Sequence, residues 1–149
     1  PWKTKYNSVD NFILAQYSKF RITNLIEEKE LENDMKYDYI IYFRPDCLYH
    51  HKFNVDYLKL CNDKTIVIPS FSLFGKHKFN DRFAVCSSEN YKYYGKVFSS
   101  ILDTSKKKPL HSETVLSELL IETYKLSIKR VKFNFSRVRC NGKVKKENF

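Results

Sequence analysis

Tyr37-Asp38-Tyr39-Ile40-Ile41-Tyr42-Phe43-Arg44-Pro45-Asp46-Cys47-Leu48-Tyr49 sets the frame for the whole chain. Its first half is a continuous apolar and aromatic run with β-branched members and no polar alternation, the pattern of a strand buried on both faces of a sheet. It is expected to be a central strand. The run stops at Arg44-Pro45-Asp46, where Pro45 removes a ladder donor and biases Arg44 towards extended backbone, so that a cation and a carboxylate leave the sheet together. Ligands of open α/β sheets bind at the carboxyl ends of strands. An Arg and an Asp at such an end suit a ligand carrying negative charge and a metal, for example a phosphorylated substrate. A solvated loop pair accounts for the same two residues equally well.

Upstream, Phe12, Ile13, Tyr17, Phe20, Ile22, Leu25 and Ile26 keep a mostly helical rhythm from Ser8 to about Glu30, with Gln16, Lys19, Arg21 and Glu28 outside it. Ser8 is the expected N-cap, and no Gly or Pro interrupts the segment. One long helix should therefore cover a sheet face and lead through Glu32-Asn33-Asp34 into the Tyr37 strand. Downstream, Cys47 to Phe53 reads as extended, and Val55 to Cys61 as a short helix with Val55, Leu58 and Leu60 inward. Thr65-Ile66-Val67-Ile68-Pro69 is a second buried strand stopped by its proline. Ile40 to Phe43 and Ile66 to Ile68 are expected to be neighbours. The loop Ser70 to Asn80, with Gly75 and His77, reads either as an acceptor-binding flap or as an ordinary surface loop.

Asn80-Asp81-Arg82 leads into a third strand, Phe83 to Ser87. Ser87 or Ser88 then caps a helix carrying Tyr91, Tyr94, Val97, Phe98, Ile101 and Leu102 at helical spacing, tyrosines that read as core. His111-Ser112-Glu113 opens a last helix with Val115, Leu116, Leu119, Leu120 and Tyr124 as its buried stripe, and Glu113 suits the helix dipole there. Ile128 to Arg139 alternates Val131, Phe133, Phe135 and Val138 against polar residues, as an edge strand with one wet face does. Asn141-Gly142 turns the chain and the tail is expected to be solvated. The fold class is α/β, a mixed, mostly parallel sheet with helices on both faces.

At 149 residues the chain is one domain's worth, enough to bury roughly 68–70% of its unfolded surface. Hydrophobic residues at 42% and aromatics at 16% exclude disorder. No apolar run approaches the ~20 residues of a membrane span, so no transmembrane segment is expected. The chain starts at Pro1 without a signal peptide, and an N-terminal portion is expected to lie upstream. A net charge of +10 and a pI near 9.4 would suit nucleic acid or a phosphorylated ligand. The lysines, however, are scattered, and the richness in Lys, Asn, Ile, Tyr and Phe is what an A- and T-rich coding sequence, viral or otherwise, produces. No specific nucleic-acid partner is expected. Cys47, Cys61, Cys86 and Cys140 show neither a C-x-x-C pair nor a Cys/His cluster, so free thiols in a reducing, cytoplasm-like compartment are expected rather than a zinc site.

A buried strand written Tyr-Asp-(apolar) and closed by Arg-Pro-Asp resembles the central motif of a group of GT-A-like glycosyltransferases, where it stands in place of the Asp-x-Asp metal motif. The resemblance covers most of the chain and implies a single GT-A-like domain over 1–149, lacking its N-terminal part, with the nucleotide-contacting strands upstream of Pro1. It sets Asp46 on the acid that ligates the divalent cation, manganese or magnesium, and Arg44 on the first acid of the motif. It also implies that Asp81, in Asn-Asp-Arg-Phe-Ala, lies on the acceptor side, although a local turn pair of Asp81 with Arg82 accounts for those residues equally well, and that His111-x-Glu113 presents Glu113 to the sugar as general base or hydroxyl ligand. Arg137 and Arg139 would add positive charge against the leaving diphosphate. The reaction implied is metal-assisted transfer from a nucleotide-sugar donor to a hydroxyl of a glycan or protein acceptor.

Two other classes compete. A non-catalytic relative is favoured by Arg44 in place of an acid, and a basic nucleic-acid-binding domain is disfavoured by the dispersed charge and the lack of a recognition motif. The oligomeric state is not legible in the sequence.

Overall fold

The computed structural model describes residues 7–149, and the elements below are drawn from them. The opening helix, α1, spans Asn7–Glu32. It includes Asn7, so Ser8 lies in its first turn and not ahead of it. Phe12, Gln16 and Thr23 are its buried residues, with Val9, Ile13 and Ile26 packed alongside. One stripe of a largely polar helix thus covers the sheet. Beyond α1 come β1 (Tyr39–Phe43), β2 (Cys47–Tyr49), β3 (Thr65–Pro69) and β4 (Phe83–Ser87).

The helical segment after β4 is broken into α2 (Tyr91–Gly95), a 3₁₀ turn (Val97–Ser100) and α3 (Ile101–Ser105). α4 (Ser112–Glu118) runs into a π turn (Leu119–Thr123). The chain finishes with β5 (Ser127–Val131) and β6 (Phe135–Arg137).

The main sheet has four strands in the order β1-β4-β3-β5, and β2 and β6 form a separate two-stranded antiparallel sheet. β4 is antiparallel to both β1 and β3, and β3 is parallel to β5. The α/β class with a mixed sheet therefore stands, but antiparallel pairing predominates, against the expectation of a mostly parallel sheet.

Each face of the sheet has its own core. On one, Ile40, Tyr42, Ile66, Ile68, Ala84 and Cys86 meet Phe12, Tyr91, Tyr94, Val97, Val115, Leu116 and Leu120 from the helices. On the other, Val67, Phe83 and Val85 meet Phe71, Phe133 and Phe135, with Cys47, Tyr49 and Phe53 alongside. Helices therefore cover one face, not both. The second face is closed by the small sheet and an aromatic cluster in which Phe53, Phe83 and Phe133 pack within 4.8–5.8 Å of one another. Each Ile, Val or Phe buried in this way contributes about 1.5–3 kcal/mol relative to exposure.

The expectation that Tyr37 to Phe43 forms a central strand is overturned. β1 lies at an edge of the sheet, β4 separates it from β3, and only Ile40 and Tyr42 are buried on it. Ile41 and Phe43 pair with Val85 and Phe83, yet they remain 39% and 62% exposed, Phe43 meeting the small sheet only through an edge-on contact with Tyr49 among the ring contacts of the described residues. The strand buried along its whole length is β4.

Other differences are local. Val55–Leu60 is a 3₁₀ turn with no buried residue, because Asn54 caps it by accepting from Asp56 N–H and Val55 and Leu60 face outward. Ile128 to Arg139 is not one edge strand. The chain leaves the main sheet after Val131, and Phe135 joins β2. The Ser70 to Asn80 loop is tied down, Phe74 and Phe79 bridging across Gly75 while Arg130 donates to the carbonyls of His77 and Lys78.

Candidate functional site

Phe43, the last residue of β1, pairs with Phe83, the first residue of β4. The chain leaving β1 and the chain entering β4 therefore run side by side at one end of the sheet, placing Arg44-Pro45-Asp46 beside Asn80-Asp81-Arg82. Asn80 fixes the second segment: its buried side chain donates to the Phe71 carbonyl at 2.8 Å and accepts from Arg82 N–H at 2.9 Å. Tyr94, also buried, donates its hydroxyl to the Asp81 carbonyl at 3.1 Å.

The start of α4 reaches the same place. Ser112 donates its hydroxyl to the Asp81 carboxylate, and the next residue, Glu113, has a side chain only 15% exposed. Burial, and then the charge of Asp81, raises the proton affinity of Glu113, with His111 and Arg82 opposing. His111 Nδ1 stands 3.7 Å from Glu113 Oε2 and 3.1 Å from Thr114 Oγ1. A buried carboxyl group with a raised pKa is suited to accept and release a proton.

The basic half of the cluster begins with Arg44, whose Nε and Nη2 donate to Asp46 Oδ1 and Oδ2 at 2.8 and 2.7 Å. Tyr49 donates its hydroxyl to the Arg44 carbonyl, and Val138 N–H donates to that of Asp46, joining the end of β6 to this loop. Arg137 follows from that joint. Burial lowers its proton affinity, as do the nearby charges of Arg82, Arg139 and Arg44, while Glu147 opposes them. Arg139 itself is exposed on the hairpin beyond β6 and reaches the cluster only through its charge.

Arg44, Asp46, Asp81, His111, Glu113 and Arg137, from well-separated parts of the sequence, thus converge on one end of the sheet.

Sequence reasoning missed several neighbours. Arg82 is buried and stands 3.3 Å from Glu147. Lys19 of α1 places its Nζ 4.5 Å above the Tyr94 ring, solvent-inaccessible and without a hydrogen-bond partner. Burial pushes its pKa down to about 8 against the opposing pull of Asp81. The signal for Lys19 was present but weak: a polar residue three after Gln16, whose own Oε1 is buried and unpaired, marks a polar patch within the covered stripe of α1.

The residues do not form a ready cation cage. Both oxygens of Asp46 are engaged by Arg44, and among the described residues no group of three or more His, Cys, Asp or Glu side chains could hold a metal ion. A guanidinium stands where the resemblance expects a cation. An apolar groove of about 420 Å³ lies between α1 and the start of β1 and is lined by Ile22, Leu25, Tyr37 and Tyr39, away from the cluster. Among the described residues no helix is long and apolar enough to cross a membrane.

No protein-family profile, curated protein or solved structure matches this chain.

Proposed function

We propose that this chain is a GT-A-like domain of a glycosyltransferase, moving a sugar from a nucleotide-sugar donor to an acceptor hydroxyl. The observation that carries this reading is the convergence of Asp81 and Glu113 with Arg44, Asp46 and Arg137 at one end of the sheet. Glycosyl transfer needs a group to take the acceptor proton and positive charge to meet the leaving diphosphate. In this reading Glu113, its proton affinity raised, takes the proton or holds a sugar hydroxyl. Asp81 orients the acceptor and His111 contacts the substrate. Arg44, Arg137 and Arg139 meet the diphosphate. Asp46 acts as the counter-ion that aims Arg44, so the guanidinium supplies the charge and no step is routed through a metal.

A second reading is favoured by the Arg44–Asp46 fork. With both oxygens of the retained acid occupied, the domain could bind a glycan or nucleotide without turning it over.

Titration with a panel of nucleotide-sugars, with and without manganese, followed by assay of sugar release and transfer, separates the two. Binding with transfer supports the enzyme. Binding without release or transfer, across the panel and in either metal condition, supports the non-catalytic module. No binding of any nucleotide-sugar removes the transferase reading.

A further inference from the structure

The tail beyond β6 is not simply solvated. The chain turns at Asn141-Gly142, where Gly142 takes a φ of 77° and donates its N–H to the Arg139 carbonyl at 2.8 Å. A residue with a side chain adopts that backbone only under strain. Val144 then bridges Val138, and Lys145 N–H donates to the Arg137 carbonyl at 2.8 Å, so the tail returns along the strand that carries Arg137. Every residue from 141 to 149 is exposed except Glu147, whose side chain is only 4% exposed.

That carboxylate enters a pair of arginines. Glu147 Oε1 stands 3.3 Å from Arg82 Nη1 and 3.5 Å from Arg137 Nε, and Ser72 donates to its Oε2 at 2.8 Å. The side chains of Arg82 and Arg137 are 7% and 20% exposed. Yet Arg82 Nη1, Arg137 Nε and Glu147 Oε1 are all shut off from solvent without making a hydrogen bond. The charges are paired, but the directional bonds that guanidinium groups form with well-placed oxygens are missing. Buried donors left in that state cost stability. Burial works to raise the Glu147 pKa, and Ser72, Arg82, Lys145 and Arg137 together outweigh it, so the carboxylate stays ionised. Arg139 adds positive charge on the same side, whereas Arg44 there is already matched by Asp46. One carboxylate with two oxygens therefore faces an excess of cations that it neither neutralises nor bonds fully.

We propose that Arg82 and Arg137 form a phosphate-binding subsite and that Glu147 fills it as a removable stand-in, so that the phosphates of a ligand bind by displacing the segment that follows the turn at Gly142. A phosphate offers more oxygens and more charge than the carboxylate and can satisfy both guanidinium groups. The subsite lies beside Arg44 and Asp46. Its assignment to the diphosphate of a nucleotide-sugar rests on the transferase reading; the subsite itself rests on the arginines and Glu147.

Inorganic pyrophosphate is the probe, titrated calorimetrically into the full chain, its Glu147→Gln variant and the Glu147→Gln/Arg82→Gln double variant at constant ionic strength. Glu147→Gln is expected to bind pyrophosphate about tenfold more tightly than the parent, the equivalent of about 1.4 kcal/mol, and the double variant to lose that gain. If Glu147→Gln melts early because two arginines are left unpaired, pyrophosphate should restore its melting temperature and potassium chloride at equal ionic strength should not. Equal pyrophosphate affinity in parent and Glu147→Gln, or restoration by chloride alone, overturns the proposal. The outcomes also separate the two readings. Tighter pyrophosphate binding in a protein that takes no nucleotide-sugar leaves the subsite standing and removes the transferase. Nucleotide-sugar transfer with pyrophosphate binding indifferent to Glu147 does the reverse.

Discussion

The guanidinium of Arg44 spans both carboxylate oxygens of Asp46, at 2.8 and 2.7 Å, so the acid that would hold a metal already holds a cation. Hydrogen bonding from Arg44 is the largest influence on Asp46 and keeps its pKa below the usual carboxylate range. Both side chains are more than a third exposed, so the pair adds no more than about 1 kcal/mol to stability. Its significance lies in what it withholds.

Manganese affinity should therefore be weak in the parent chain and should rise in Arg44→Ala, where the carboxylate is released, by about tenfold or more. Asp46→Asn should abolish the gain. In a transfer assay Arg44→Ala should lose about two orders of magnitude, the scale of losing one electrostatic stabiliser, and Asp46→Asn, which leaves that guanidinium unaimed, should lose less, with stability changed by less than about 1 kcal/mol in each. A parent chain that binds manganese tightly, with Arg44→Ala no better, would show that the fork opens freely and does not compete.

Packing makes a prediction independent of function. A methyl group added at Gly95 would fall 1.9 Å from Thr23 Oγ1 and 2.5 Å from the Tyr42 hydroxyl, which are themselves hydrogen-bonded at 2.8 Å. Here α2 crosses α1 over the sheet. Gly95→Ala should destabilise the fold by about 1–3 kcal/mol or more, the range of overpacked cores, and chemical denaturation should show it as a lower midpoint. A midpoint within error of the parent would mean that α1 and α2 are not this close in solution.

Much of this arrangement was legible in the sequence, and the failures share a cause. The strands at Ile40, Ile66 and Phe83, and the helix start near His111, follow from apolar runs and turn residues, which are local signals; the cap expected at Ser87 or Ser88 falls instead at Asn90, just ahead of Tyr91. Whether a run is covered on one face or two depends on what packs across it. Tyr39, Ile41 and Phe43 are as apolar as Val85, so one-sided and two-sided burial look identical on the page. The Arg44, Asp46, Asp81 and Glu113 cluster could be named because each residue closes or opens an element. Arg82, Lys19 and Glu147 sit in unremarkable polar surroundings in sequence, and only the pairing of Phe43 with Phe83 and the turn at Gly142 bring the first and last of them to the site.

Glu113 gives a pH test. Its folded pKa is raised by burial and by Asp81, so the folded chain binds this proton more tightly than the unfolded chain does. Its contribution to stability is therefore greatest below the unfolded carboxyl pKa and is lost as pH rises through the folded one. Glu113→Gln removes the buried charge and should melt higher than the parent at pH 7, the advantage shrinking in acid as the parent's Glu113 takes up its proton. If Glu113 is the base, transfer should fall at the same time. A variant less stable than the parent at pH 7 would mean that the charged carboxylate is well solvated or paired.

Lys19 offers the sharpest separation of stability from function. Its Nζ is buried over Tyr94 with no hydrogen-bond partner, and burial lowers its pKa to about 8 from the ordinary lysine value of 10.5. The folded chain therefore binds this proton less tightly than the unfolded one, a penalty fully present below about pH 8 and relieved as pH rises towards 10.5. Lys19→Met keeps the length and apolar stem of the side chain and removes the penalty. It should stabilise the protein at pH 7 by an amount bounded at about 3 kcal/mol, the value of the full shift, with the gain fading as the pH is raised. The same positive charge faces Asp81, so its loss should lower any transfer that depends on Asp81 while stability rises. A buried charge retained at a cost in stability and needed beside Asp81 is what a working cluster requires. Stabilisation with unchanged transfer would reduce Lys19 to a tolerated packing residue, and destabilisation at pH 7 would mean that the Tyr94 ring holds the ammonium more strongly than burial opposes it.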